Sequence, residues 1–153
     1  MATPGRESRV LRVGLLLLLV AAPTLAELQA GVGIADITPP LGTPSAGYGD
    51  RRGAGMEAVH DPLLATAVAI DDGETRVVLV GVDHLGYDHE MVDAVVAAVA
   101  DRAGGDAVEI FLGSSHTHAG GGAYLDIPGL GEVLAGKFDP TARQLYVDGA
   151  AEA

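Results

Sequence analysis

Apolar positions along the chain fall into short β-rich runs and one helical stripe, with glycine and proline between them. Residues 30–37 are Ala, Gly, Val, Gly, Ile, Ala, Asp and Ile, and Thr38, Pro39 and Pro40 follow. This predicts a first strand that stops at the prolines, which cannot donate to a ladder and restrict the residue before them. Residues 41–59 carry Gly42, Pro44, Gly47, Gly49, Gly53 and Gly55. That spacing predicts a loop, and a loop so long in a compact domain is usual only where it has a task such as lining a site. Residues 63–70 and 76–83 are apolar runs around Asp71, Asp72, Gly73, Glu74 and Thr75. They predict a hairpin with glycine in its turn. Val77 to Val82 shows no alternation, which fits a strand covered on both faces.

Residues 88–102 predict a helix. Asp88 stands as N-cap with Glu90 in the first turn, and Met91, Val92, Val95, Val96 and Val99 share one face. Gly104 and Gly105 end it. Residues 108–113 then predict a further strand. Strand, helix and strand in this order form a parallel crossover, almost always right-handed. Residues 123–137 read as a glycine-broken loop. Asp139 and Pro140 predict an N-cap and first helical residue, opening a helix that runs to Ala153. The expected fold class is α/β, with a mixed sheet built around the crossover. A helix that runs to the last residue, with no closing strand, reads as a truncated chain, with a frayed natural C-terminus as the alternative.

The crossover also places chemistry. Parallel strands end at one edge of their sheet, and open α/β sheets bind ligands outside those carboxyl ends. Asp83 and His84 end one strand, and Ser114, Ser115, His116 and His118 follow the other. In extended chain, positions i and i+2 point to one side. His116 and His118 are therefore expected to face a common site, with Thr117 turned away. Gly120, Gly121 and Gly122 lack Cβ atoms, so backbone or ligand can approach there. Imidazole is the commonest metal ligand and a frequent acid or base. Asp83 is open to three readings: a ligand, an orienter of a histidine, or a residue approaching the helix. His60, before proline, is equally a turn residue, and His84 and His89 carry weaker signals. Ser114 and Ser115 lack the Gly-x-Ser-x-Gly elbow of α/β-hydrolases and are expected to end the strand through hydroxyl bonds to backbone. Tyr48 and Tyr124 sit in glycine-rich loops and are open to two readings, stacking on a ligand or plain loop packing.

Composition narrows the field. The chain has 153 residues, a formal charge of −12 and no cysteine. The acidity argues against nucleic acid as partner, since phosphate binding needs clustered Lys and Arg. Disulfides, thiol chemistry and cysteine zinc sites are excluded. Residues 1–26 read as a signal peptide: Arg6, Arg9 and Arg12, then an apolar run from Val13, then Pro23, Thr24, Leu25 and Ala26. The run is shorter than the about 20 residues a membrane-spanning helix needs. Export is expected, to the periplasm or beyond the cell, leaving residues 27–153 as the mature part of the chain.

Four segments together resemble a known family. They are the run from Gly31 to Pro39, then Val59, His60, Asp61, Pro62 and Leu63, then Val82 and Asp83, then Ser115 to Gly122. In this order they resemble the N-terminal catalytic domain of the neutral/alkaline ceramidases. The resemblance implies a zinc (Zn2+) amidase that cleaves the N-acyl bond of ceramide or a related lipid amide. It implies His116 as a metal ligand and His118 as a catalytic residue beside the reacting centre. It also implies a lipid substrate met at a membrane surface, with peripheral lipid contact. The family's remaining ligands, a second histidine, a glutamate and a tyrosine, and its serine find no matching segment before Ala153. Ala119, Gly120 and Gly121 stand where the family usually has Ser, Gly and Pro. The alternatives are a hydrolase of another amide or ester on the same domain, and a secreted binding module without catalysis.

Overall fold

The computed structural model describes residues 27–104 and 108–153. The predicted signal peptide, residues 1–26, lies outside the described residues. Four strands form one mixed sheet: β1 (Gln29–Asp36), β2 (Leu64–Asp71), β3 (Arg76–Val82) and β4 (Val108–Ser114). Their spatial order is their chain order. β1 to β2 and β2 to β3 are antiparallel, and β3 to β4 is parallel. Among the described residues three α-helices accompany the sheet: α1 (His89–Ala103) between β3 and β4, and α2 (Gly131–Ala135) and α3 (Pro140–Glu152) after β4.

Local chemistry explains most boundaries. The β2–β3 turn is held by Asp72, whose carboxylate accepts from the backbone N–H groups of Glu74 and Thr75. Gly73 takes φ 88° there, a value that suits glycine alone. Asp88 caps α1 by accepting from Met91 N at 2.8 Å, and Gly104 closes it in the left-handed region. Asp139 caps α3 with Pro140 at its first position.

The core lies between one face of the sheet and α1 and α3. Ala65, Ala67, Val78, Val80 and Val82 point in from the strands, and Met91, Val95 and Val99 meet them from α1. Tyr146, Val147 and Ala150 complete the core from α3. Each buried valine or methionine among them contributes about 1.5–3 kcal/mol. The Ile37 side chain, just past β1, packs onto the backbone of Gly149 in α3, where a Cβ would stand 2.1 Å from Ile37 Cγ2.

Two expectations change here. The opposite face of β3 is open among the described residues. Val32, Val68, Leu79 and Phe111 pair in register across all four strands, and Val32, Leu79 and Phe111 are exposed. The unbroken apolar run of β3 therefore reflects two apolar faces, only one of them covered by helices. The expected loop 123–137 contains α2, a single helical turn and a half. Its N-terminal residue, Gly131, sits so close to Leu125 O that any Cβ would stand 2.6 Å away, so packing rather than helix propensity places it.

Candidate active site

β3 and β4 end side by side, and the chain beyond each folds across the same edge. After β4, Ser115 N–H donates to Val82 O at 3.1 Å, so backbone pairing fastens the strand end. The chain then turns sharply at His116, whose φ is 55°. His116 and His118 do share a site, but not through extended alternation. The left-handed residue swings the two rings together until their Nε2 atoms are 3.4 Å apart, with ring centroids at 5.0 Å. A non-glycine residue held at positive φ is the kind of strain that functional sites retain.

His116 is fixed by its other nitrogen. Nδ1 lies 2.5 Å from Leu85 O, in the turn between β3 and α1. A carbonyl only accepts, so Nδ1 carries the proton and Nε2 presents a lone pair. His118 is held differently. Its carbonyl accepts from Arg51 at 2.5 Å. The same guanidinium nitrogen donates to Ala46 O and Ser45 Oγ. Its ring lies edge-on to Tyr48, centroids 4.8 Å apart, and against Gly47, where a Cβ would stand 2.8 Å from the imidazole. Its Nδ1 is buried without a partner. With His116 Nε2 accepting, His118 Nε2 carries the proton that faces it.

Residues 41–59 therefore take part in the site. They form a narrow two-sided loop, with Gly42 N–H donating to Met56 O and Met56 N–H to Thr43 O. A 3-10 turn (Gly49–Arg51) lies at its tip. Ala46 N–H donates to Gly120 O, and Gly47 N–H to Leu134 O. The loop is thus stitched to the histidine segment and to α2. Of the two expectations for the glycine run, approach by backbone or by ligand, the structure shows the first. Gly121 packs on Pro39 and Gly122 on Ala135 O, where Cβ atoms would stand 2.3 and 2.2 Å away. The close approach there is by the protein's own chain.

The two rings open on a cavity of ≈ 260 Å³. Leu85, Tyr87, Leu125, Ile127 and Leu134 form its apolar walls.

The other sequence candidates lie elsewhere. Asp83 Oδ2 accepts from Leu64 N–H at 3.1 Å, so it ties β3 to β2 and orients neither histidine. His60 is exposed and paired with Asp61 at 2.7 Å. His89 is exposed in the first turn of α1. His84 is completely buried. It stacks on Tyr124 and lies edge-on to Tyr87 and Tyr146. Burial depresses its pKa to about 4, against weaker opposing effects of a backbone contact and Asp83. It is neutral, and its recorded ring contacts are with tyrosines rather than with His116 or His118. Tyr124 is buried too, and burial pushes its hydroxyl up to about 12.

The pair fits zinc in part. Two nitrogens bound to one tetrahedral zinc at about 2.0–2.1 Å stand about 3.3–3.4 Å apart, close to the Nε2 separation seen. Among the described residues no group of three or more His, Asp or Glu gathers to hold a metal. Ligating histidines nearly always donate their second N–H to a carbonyl, carboxylate or water. His116 meets that condition and His118 does not.

Comparison with known proteins bears on this geometry. The sequence profile described as "Neutral/alkaline non-lysosomal ceramidase, N-terminal" matches residues 28–153. The fold is similar to neutral ceramidase from Pseudomonas aeruginosa, with TM-score 0.65 and 21% identity over 81% of this chain and 20% of that one. It is also similar to a ceramidase complexed with C2, with TM-score 0.63 and 20% identity over 82% and 20% of the two chains. No curated protein matches the chain. The chain spans about a fifth of the length of these solved structures.

Proposed function

The chain belongs to the neutral/alkaline non-lysosomal ceramidase family, and from that premise we propose that it supplies part of the active site of a zinc-dependent amidase. The substrate is ceramide or a related lipid amide. The observation that carries this reading is the histidine pair opening on an apolar cavity. An amide with a hydrocarbon tail needs such walls beside its reacting carbonyl.

His116 would hold the metal through Nε2, with its proton kept on Nδ1 by Leu85 O. Zinc, when bound, polarises an amide carbonyl and activates a water. His118 offers a protonated Nε2 on the same side, placed to donate to a developing oxyanion or to the leaving amine. Gly47, Tyr48 and Arg51 hold it there. Export belongs to the same proposal and rests on the leader in residues 1–26. Peripheral contact with membrane lipid follows from the substrate class.

The test is hydrolysis by the protein as its host makes it. Ceramide, an N-acyl amino acid and an aryl ester are offered with and without a zinc chelator. Amide cleavage of ceramide that disappears on chelation and in His116→Ala is the expected result. Cleavage indifferent to chelator, or confined to the ester, overturns the reading. Cleavage of the N-acyl amino acid alone keeps the amidase and replaces the substrate.

A further inference from the structure

We propose that Tyr124 is a positioning residue for His116, acting through the turn between β3 and α1; the inference deepens the zinc reading and rests on it for its consequence. Tyr124 lies eight residues beyond His116 in sequence, and its ring is fully buried. Its hydroxyl accepts from Leu85 N–H at 2.9 Å and from Gly86 N–H at 3.3 Å. The carbonyl of that same Leu85 receives the His116 imidazole. One phenol oxygen thus holds, through Gly86 N–H, the peptide group that carries the carbonyl setting the tautomer and direction of His116, and, through Leu85 N–H, the peptide group before it.

The tyrosine is itself anchored at several points. Arg143 Nε donates to Tyr124 O at 3.0 Å. The same Arg143 pairs with Asp88 and Glu90 at the start of α1. Asp88 in turn accepts from Asp126 N–H at 2.8 Å. The ring stacks on His84, centroids 5.2 Å apart. α3, the start of α1 and the segment 124–126 therefore form one frame, and the hydroxyl carries that frame's position to the turn. Without it, two backbone donors in a largely buried turn lose their acceptor, and such losses are costly. The Leu85 carbonyl would then be free to tilt, and with it the imidazole.

The experiment compares Tyr124→Phe with Tyr146→Phe in the full chain. Tyr146 belongs to the same aromatic cluster, 4.8 Å from Tyr124 between centroids. Its hydroxyl is buried without a partner, so its removal controls for packing. Long-range proton–nitrogen NMR spectra of the imidazoles, recorded without metal, report which nitrogen of His116 is protonated. Wild type and Tyr146→Phe keep the proton on Nδ1. In Tyr124→Phe the Nδ1–H exchanges with water about fivefold faster or more, as loss of one hydrogen bond implies, and the other tautomer appears. Zinc affinity falls about tenfold in Tyr124→Phe, as for other partners that orient a ligand.

An unchanged His116 tautomer and exchange rate in folded Tyr124→Phe overturns the proposal, and so does an equal change in Tyr146→Phe. If Tyr124→Phe does not fold, 3-fluorotyrosine at position 124 keeps the ring and weakens the acceptor. A smaller shift in the same direction then supports the proposal, and none overturns it. The spectra need no metal. A wild-type chain that ignores zinc sinks the zinc reading, while the role of Tyr124 is still decided by the imidazole signals.

Discussion

The turn between β3 and α1 and the loop 41–59 each hold one histidine of the pair, by opposite means. The turn grips His116 by its ring, whose Nδ1–H donates to Leu85 O. The loop grips His118 by its backbone carbonyl and by contact with its ring, and leaves Nδ1 without a partner. The first device fixes where a proton sits. The second fixes where a ring sits and leaves one of its nitrogens, Nδ1, without a partner. A metal ligand needs the former, because a ring that can change tautomer loses its lone pair part of the time. A group that gives and takes a proton needs the latter.

Exchanging alanine for each histidine breaks the comparison most severely. His116→Ala should weaken zinc binding by at least about 100-fold, beyond what loss of an orienting partner costs. His118→Ala should leave zinc affinity within about tenfold and lower turnover by about 10²–10⁴-fold, the usual contribution of a positioned acid or base. Calorimetric zinc titration and ceramide turnover measure the two. Equal losses of zinc affinity would make both residues ligands and end the division of roles.

The next effect concerns the frame behind His116. His84 is buried and neutral, with its pKa lowered from 6.5 to about 4 chiefly by burial. Unfolded chain takes up a proton near pH 6.5, while folded chain resists until about pH 4. Stability from this group is therefore full above pH 6.5 and is lost as pH falls towards 4. The shift corresponds to about 3 kcal/mol. Urea midpoints across that range should drop in wild type and flatten in His84→Phe. A wild-type profile level from pH 7 to 4 would show that the β3–α1 frame does not depend on this buried ring.

A smaller effect sharpens the other side. Gly47 has φ 111° and its missing Cβ leaves room for the His118 ring. Gly47→Ala should cost about 2 kcal/mol, the size expected for a strained and crowded site. It should also lower turnover while zinc affinity holds. Zinc affinity that falls in step with turnover would mean that the loop supports both histidines.

These contrasts also show where sequence was enough. The caps of α1 and α3 were legible, because Asp88, Gly104, Asp139 and Pro140 act on neighbours within a few residues. The parallel crossover followed from strand, helix and strand in order. The meeting of His116 and His118 was legible as a spacing, though its cause is a left-handed residue rather than an extended chain. A positive φ at histidine leaves no mark in the residue types around it. Helix α2 was hidden among glycines because packing against Leu125 sets it, not propensity. The surroundings of His84 were out of reach for another reason. Tyr124 and Tyr146 come from 40 and 62 positions further along, and only the folded chain brings them together. Tyr48 and the loop gave a hint in their length and glycine content, but not which histidine they hold.

The most direct test follows both imidazoles during a zinc titration by proton–nitrogen NMR. The account predicts that the His116 Nε2 signal moves to the metal-bound position while its Nδ1–H persists, and that His118 keeps an exchangeable proton. Metal-bound shifts at His118 instead, or loss of the His116 Nδ1–H as zinc is added, would contradict it.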